Sequence, residues 1–140
     1  MDHGPTTTAV AAALSRLQAE GRWQSLRQLS AALAALPGGG IKLSHTSIGQ
    51  IVRGERHITV DELTSLATCL GVSPVTFLMP ASDTPAGVVG LSGTGPADAG
   101  TLLGWLRGDS PLDAPDDPHE AEVFRRRALP QWAWERKESR

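Results

Sequence analysis

The stretch "SHTSIGQIVRGER", residues 44–56, decides how the chain is read. A small hydroxyl residue, Ser44, heads it, and the apolar residues Ile48, Ile51 and Val52 follow at helical spacing. On a helix beginning just after Ser44, residues 48, 51 and 52 point one way and residues 46, 49, 50 and 53 another. The first set holds a core. The second offers a hydroxyl, an amide and a guanidinium on a stripe interrupted by Gly49, and Gly54 closes the helix. An amide such as Gln50 both donates to and accepts from an adenine edge, and arginine grips guanine or a phosphate. Gly49 costs roughly 1 kcal/mol of helix propensity against alanine, and a bare backbone there would let the helix lie close to a target. Taken alone, the stretch also fits an ordinary amphipathic helix with a solvated face.

Its neighbours are helical too. Val10, Leu14 and Leu17 form an apolar stripe that ends near Gly21. Ser25 then precedes Leu26, Leu29, Leu33 and Leu36, with Gln28 in the position of a capping box. This second helix is expected to stop before "PGGG", because Pro37 disfavours helix at Leu36. After the quoted stretch, "TVDELTSLATCLGV" reads as a fourth helix with Thr59 as N-cap, Asp61 and Glu62 at its positive end, and Gly71 as stop. "SPVTFL" carries Ser73 as cap and Pro74 at the first helical position of a short fifth helix.

Beyond Pro80 the texture changes to Gly, Pro and small polar residues, with Val88 to Leu91 as a candidate strand or bare linker. "TLLGWLRG" reads as helix, "DSPLDAPDDPHE" as loop, and "AEVFRRRAL" as a helix ended by Pro130. The expected layout is therefore residues 1–80 as one helical domain, 81–96 as a linker or short strand, and 97–140 as a C-terminal helical region. The 140 residues, 40% hydrophobic, suit one domain with an appendage. Apolar runs fall short of a bilayer span, and the N-terminus lacks the cationic head of a secretory signal. A single cysteine, Cys69, fits a reducing cytoplasm and reads as a small core residue.

The net charge of −2 hides blocks. Residues 22–57 carry +4, residues 81–122 carry −7, and the last eighteen return to +4. Such a chain can turn one face to a polyanion and keep an acidic middle away from it. "DDPHEAE" gathers acids around His119, but without further histidines or cysteines nearby it reads as a solvated loop ending in helix-capping acids, and no metal is expected. With no phosphate-binding glycine loop, zinc spacing or nucleophile elbow, neither enzymatic activity nor a cofactor is expected.

The order of elements, with "SLRQLSAAL", "SHTSIGQIVRGER" and "HITVDELTSLATCLGVSPVTFLMP", resembles the phage-repressor-like helix-turn-helix, or Xre, family of transcriptional regulators. The resemblance covers about residues 8 to 80. The wording "SPVTFLMP", with the later tryptophans and triple arginine, is similar to regulators of high-GC actinobacteria. The resemblance implies a mainly α fold: a five-helix repressor-like domain followed by a small helical dimerisation region. It implies sequence-specific binding of double-stranded DNA in the cytoplasm, at the nucleoid, and repression from a palindromic operator by a homodimer. An alternative is a protein-interaction module of the same fold, of the antitoxin or anti-repressor type.

Carried over by residue, the family's base-reading positions fall on His45, Thr46 and Gln50, in a helix that enters the major groove. Phosphate contacts fall on Ser25, Ser44, Ser47 and Arg53, with Arg56 and His57 just beyond the helix. Two departures stand out. Leu26 occupies the place where the family has a phosphate-binding glutamine, which moves that contact to Arg27. The family's tight turn is replaced by "AALPGGGIKL", residues 34–43, leaving the crossing angle open and Lys42 as a loop contact. Self-association is assigned to the large apolar residues of the tail, Trp105, Leu106, Phe124, Leu129, Trp132 and Trp134, because tryptophan is enriched in interfaces. A small-molecule effector is not indicated, and no membrane partner is.

Overall fold

A computed structural model of the chain describes residues 3–135. Its elements run α1 (Pro5–Ala19), α2 (Leu26–Ala34), α3 (His45–Val52), α4 (Val60–Leu70), α5 (Pro74–Leu78), β1 (Val88–Val89), β2 (Ala97–Asp98), α6 (Ala99–Leu106), α7 (Pro118–Ala128) and α8 (Gln131–Trp134). The fold is mainly α with one small antiparallel sheet. Two compact units share the chain. The first takes the residues up to Ala81 together with Leu91–Gly93, and the second takes Ser82–Gly90 and the residues from Thr94 onward.

Local chemistry starts each helix of the first unit. Ser25, Ser44, Thr59 and Ser73 all stand in extended backbone, and their hydroxyls accept from the N–H groups of Gln28, Ser47, Glu62 and Val75. Each bond satisfies a donor that the first turn would otherwise leave unpaired. At Thr59 the box is complete, since Glu62 also accepts from the Thr59 N–H. At Ser25 it is not: the Gln28 side chain reaches the N–H of Gln24 instead. Gly71 ends α4 in the left-handed conformation.

The core is assembled from one stripe per helix: Leu14 and Leu17 from α1, Leu29 and Leu33 from α2, Ile48 and Ile51 from α3, Leu66 from α4 and Phe77 from α5. Trp23, between α1 and α2, fills the same core, and its indole N–H donates to the Leu14 carbonyl at 3.0 Å, which satisfies this buried donor.

The ten-residue connection of residues 34–43 is a fixed piece of structure. Helix α2 stops at Ala34, two residues before the expected Leu36. Pro37 has no N–H to give the Leu33 carbonyl, and that carbonyl instead accepts from Ile41 as the chain doubles back. Ser30 donates to the Leu43 carbonyl at 2.7 Å, and Leu43 is buried while Leu36 and Ile41 pack against the core from the side. Gly40 lies so close to the end of α2 that a Cβ there would overlap the Ala34 carbonyl. These ties deliver Ser44 to the start of α3.

In the second unit Val88 pairs with Asp98 and Val89 with Ala97. The strand reading of Val88–Leu91 thus holds for its first two residues, and the partner strand went unseen in the sequence. The segment before β1 also caps α6. Asp98 makes no side-chain cap bond, and the first N–H groups of the helix donate instead to Gly87 O at 2.8 Å and Pro85 O at 2.9 Å. Helix α7 begins at Pro118, three residues before the expected start, because Asp117 accepts from the N–H groups of His119 and Glu120. The acids of "DDPHEAE" therefore include a helix cap, and among the described residues no cluster of three metal-ligating side chains exists. Ala99, Leu102 and Gly108 are the only buried residues of this unit among those described.

Two neighbouring glycines test the loop. Gly40→Ala is expected to lower stability by about 2 kcal/mol through forced backbone displacement. Gly38→Ala, whose added Cβ would meet nothing within 4 Å, is expected to be neutral or stabilising by up to ~1 kcal/mol. Urea unfolding followed by circular dichroism compares them; equal effects would mean that the loop is not held against α2.

Candidate nucleic-acid interface

Helix α3 sorts its side chains by angle. Ile48 and Ile51 enter the core, Val52 is half-buried beside them, and Thr46 is exposed. His45 and Gln50 are half-exposed, and like Thr46 they make no side-chain hydrogen bond to another described residue. The Thr46 hydroxyl and the Gln50 amide thus stand along one edge, with His45 at the head of the helix, and described residues take up none of their donors and acceptors.

Gly49 corrects the sequence reading. It is buried and does not belong to the polar edge. A Cβ built there would lie 3.3 Å from Leu26 Cδ1 and 3.1 Å from Arg53 Nη1. The missing side chain admits the first turn of α2 on one side and the folded-back guanidinium of Arg53 on the other. Leu26, out of place as a phosphate ligand, is here a packing residue.

The remaining expected contacts divide into three groups. Arg27 and Lys42 are exposed and make no ion pair. Ser44 and Ser47 are hydrogen-bonded to each other at 3.1 Å across the first turn of α3. With Lys42, Ser30, Arg56 and Glu62 they line an open groove of about 460 Å³. Arg53, Arg56 and His57 all have partners: Arg53 Nε donates to Glu55 Oε1 at 3.0 Å, and Arg56 holds Glu62 with two bonds of 2.9 and 3.0 Å. His57 Nδ1 is hydrogen-bonded to Thr7 Oγ1 at 3.1 Å, with the edge of His3 against its ring at 4.6 Å.

The two arginine pairs differ in kind. Glu62 is mostly covered, and it serves Arg56 and the Thr59 N–H together. The bond to Arg56, ahead of the Thr59 bonds and against the cost of burial, holds its carboxyl below the usual glutamate value of 4.5. Arg53 and Glu55 are both more than half exposed, at 56% and 57%. Sequence reasoning overlooked both acids. It places Glu62 only at the positive end of the α4 dipole and Glu55 only in the charge count; the spacing Arg-x-Glu around the Gly54 turn is the available signal for the second.

The tail residues are likewise spread. Trp105, Leu106, Phe124 and Leu129 are half-buried within the second unit. Trp134 lies under the Arg126 guanidinium at 4.6 Å, and Arg126 is also bonded to Glu122 at 3.0 Å. Trp132 is 77% exposed. The first unit has apolar surface that the sequence did not disclose: Val60 is 79% exposed beside a hollow of about 170 Å³ lined by Ile58, Leu63 and Leu78. Half-buried against the core, Cys69 has its thiol pKa raised by burial. No described helix is long and apolar enough to cross a membrane. Compared with protein-family models, with curated proteins and with solved structures, the chain finds no match.

The Arg56–Glu62 pair gives stability a pH signature. A lowered native pKa means that the contribution is complete above the ordinary glutamate range and drains away as pH falls through the native value. Arg56→Ala is expected to cost about 1 kcal/mol at pH 7 and much less at pH 3, as read from urea midpoints at the two pH values. A loss independent of pH would assign Arg56 a packing role instead.

Proposed function

We propose that the chain is a sequence-specific regulator of transcription that binds double-stranded DNA through α3, of the phage-repressor-like type, working in the cytoplasm at the nucleoid. The observation that carries this reading is the division of α3: Ile48, Gly49 and Ile51 are packed inward, while the side chains of Thr46 and Gln50 face out with no partner among the described residues. Uncommitted amide and hydroxyl groups on a rigid helix are what base-edge readout requires, since each needs free donors and acceptors at a fixed position. His45 joins them at the end of the helix that enters the groove first.

Phosphate contacts follow from the same geometry. The N-terminus of α2, capped by Ser25, presents backbone N–H groups and partial positive charge to an anion, with Arg27 beside it. At the head of α3, Lys42 and Ser47 line one groove and offer an ammonium and a hydroxyl. Repression is the mode we assign, by occupation of a promoter.

One such helix reads too few base pairs to stand out in a genome, so the regulator acts as a homodimer whose two α3 helices meet successive major grooves. The second unit supplies the surface for pairing: its small core leaves Trp105, Phe124 and Leu129 half-covered, and Trp132 and Val88 stand open. A tryptophan buries roughly 150–250 Å², a useful share of the ~800 Å² per partner that a stable interface takes.

Selection of bound fragments from a random duplex pool with the purified protein tests the whole reading. A recovered consensus is expected; capture of a protein partner with only weak, sequence-indifferent duplex binding would replace it with an interaction module. On the recovered site Gln50→Ala is expected to cost roughly 1–3 kcal/mol, and little on scrambled duplex. Arg27→Ala is expected to weaken both alike and to lower the slope of log K against log salt by about one unit. Trp132→Glu, at so exposed a position, is expected to leave the fold intact and shift sedimentation toward monomer; an unchanged oligomer would move the interface elsewhere.

A further inference from the structure

We infer that Glu55 is an affinity-limiting residue of the α3 face, occupying in the free protein the guanidinium of Arg53 that a backbone phosphate takes in the complex. This deepens the DNA-binding reading and rests on it. Three features of the structure support it. The guanidinium has a defined seat: it folds back along α3 over Gly49, where an added Cβ would stand 3.1 Å from Nη1, and it lies beside the first turn of α2. Gly54 turns the chain with φ +72°, so Glu55 comes back to meet Arg53 Nε at 3.0 Å. Both side chains of the pair are more than half exposed, and water and salt already weaken the bond.

The neighbouring pair shows why Glu55 is singled out. Arg56 grips Glu62 with two bonds, and Glu62 is tied at the same time to the start of α4. Freeing Arg56 would break two bonds and strip a mostly covered carboxylate of its counter-charge. Freeing Arg53 breaks one exposed bond and disturbs nothing else. A carboxylate and the two non-bridging oxygens of a backbone phosphate both offer a guanidinium a pair of anionic oxygen acceptors, so one replaces the other in the same seat. The exchange leaves the bond count of Arg53 unchanged, and it moves an expelled carboxylate close to a phosphate backbone. Glu55 therefore weakens binding to every duplex, independently of sequence.

The test is a double-mutant cycle in the full chain, with Kd measured by fluorescence anisotropy on the selected duplex and on a scrambled one at one salt concentration. The four proteins are wild type, Glu55→Gln, Arg53→Gln and the double variant, with circular dichroism confirming that each is folded. Glu55→Gln is expected to tighten both duplexes by the same factor, roughly 2- to 5-fold. In the Arg53→Gln background the same change is expected to give less than about half of that factor, because there is no guanidinium left to release. Tightening of equal size in both backgrounds would show simple removal of a repelling charge and overturn the proposal. So would an unchanged Kd for Glu55→Gln while wild type binds the selected duplex. Failure of all four proteins to bind any duplex would overturn the DNA reading itself, and this inference with it.

Discussion

Packing of α3 against α2 governs which side chains of the first unit can meet anything outside it. A helix turns about 100° per residue, so once residues 48, 49 and 51 face inward the remaining positions have no freedom of assignment. The isoleucines supply the apolar area, worth roughly 1.5–3 kcal/mol each when fully buried. Gly49 supplies nearness. A methyl group at that position would meet Leu26 Cδ1 at 3.3 Å and Arg53 Nη1 at 3.1 Å, so both side chains would have to give by a few tenths of an ångström. The ten-residue connection serves the same end, since its bonds from Ile41 to Leu33 and from Ser30 to Leu43 decide where Ser44 starts the helix.

Electrostatics of that face cannot be had by counting charges. Residues 22–57 sum to +4, yet Arg53 is paired with Glu55, and Arg56 with Glu62, which lies outside that window. Of that window's cations, Arg22, Arg27 and Lys42 are left without an ion pair among the described residues, and the positive ends of α2 and α3 add to them. A pair at 3 Å is nearly a dipole to anything a Debye length away, about 8–10 Å at ordinary salt. The arginines beyond α3 thus contribute little to long-range attraction, and a polyanion approaching from a distance would be steered toward the α2 side.

What was legible in the sequence was local. Ser44, Thr59 and Ser73 were read as caps, and Gly71 as a stop, because each acts on its own turn through one bond or one dihedral angle. Thr46 and Gln50 could be placed on one edge for the same reason. The misreadings were made by distant partners. Gly49 looked like part of an outward stripe, since nothing in residues 44–56 announces that Leu26 will press on it. The end of α2 moved back because a carbonyl released by Pro37 found Ile41 across a loop. Trp23, buried in the core, carried no periodic signal, being in neither helix. Strand β2 is two residues long and has no pattern without its partner. Helix α7 started early because the competing loop reading gave too little weight to Asp117-Pro118, a cap followed by the one residue that loses nothing at a first helical position.

The second unit poses a different physical problem. It buries only Ala99, Leu102 and Gly108 among its described residues, and α7 buries nothing. A polypeptide unit of fewer than about sixty residues is already marginal, because surface grows relative to volume as size falls. Half-covered Trp105, Phe124 and Leu129 are area that has left water incompletely, and Trp132 has hardly left it at all. Covering that area against an identical copy adds hydrophobic stabilisation that the unit does not generate internally. In the proposed regulator α3 has a shortage of its own, since one helix addresses too few base pairs. The pairing that would cover the tryptophans is the same event that would set two α3 helices on one duplex, so stability of the second unit and selectivity of the first would rise together with chain concentration.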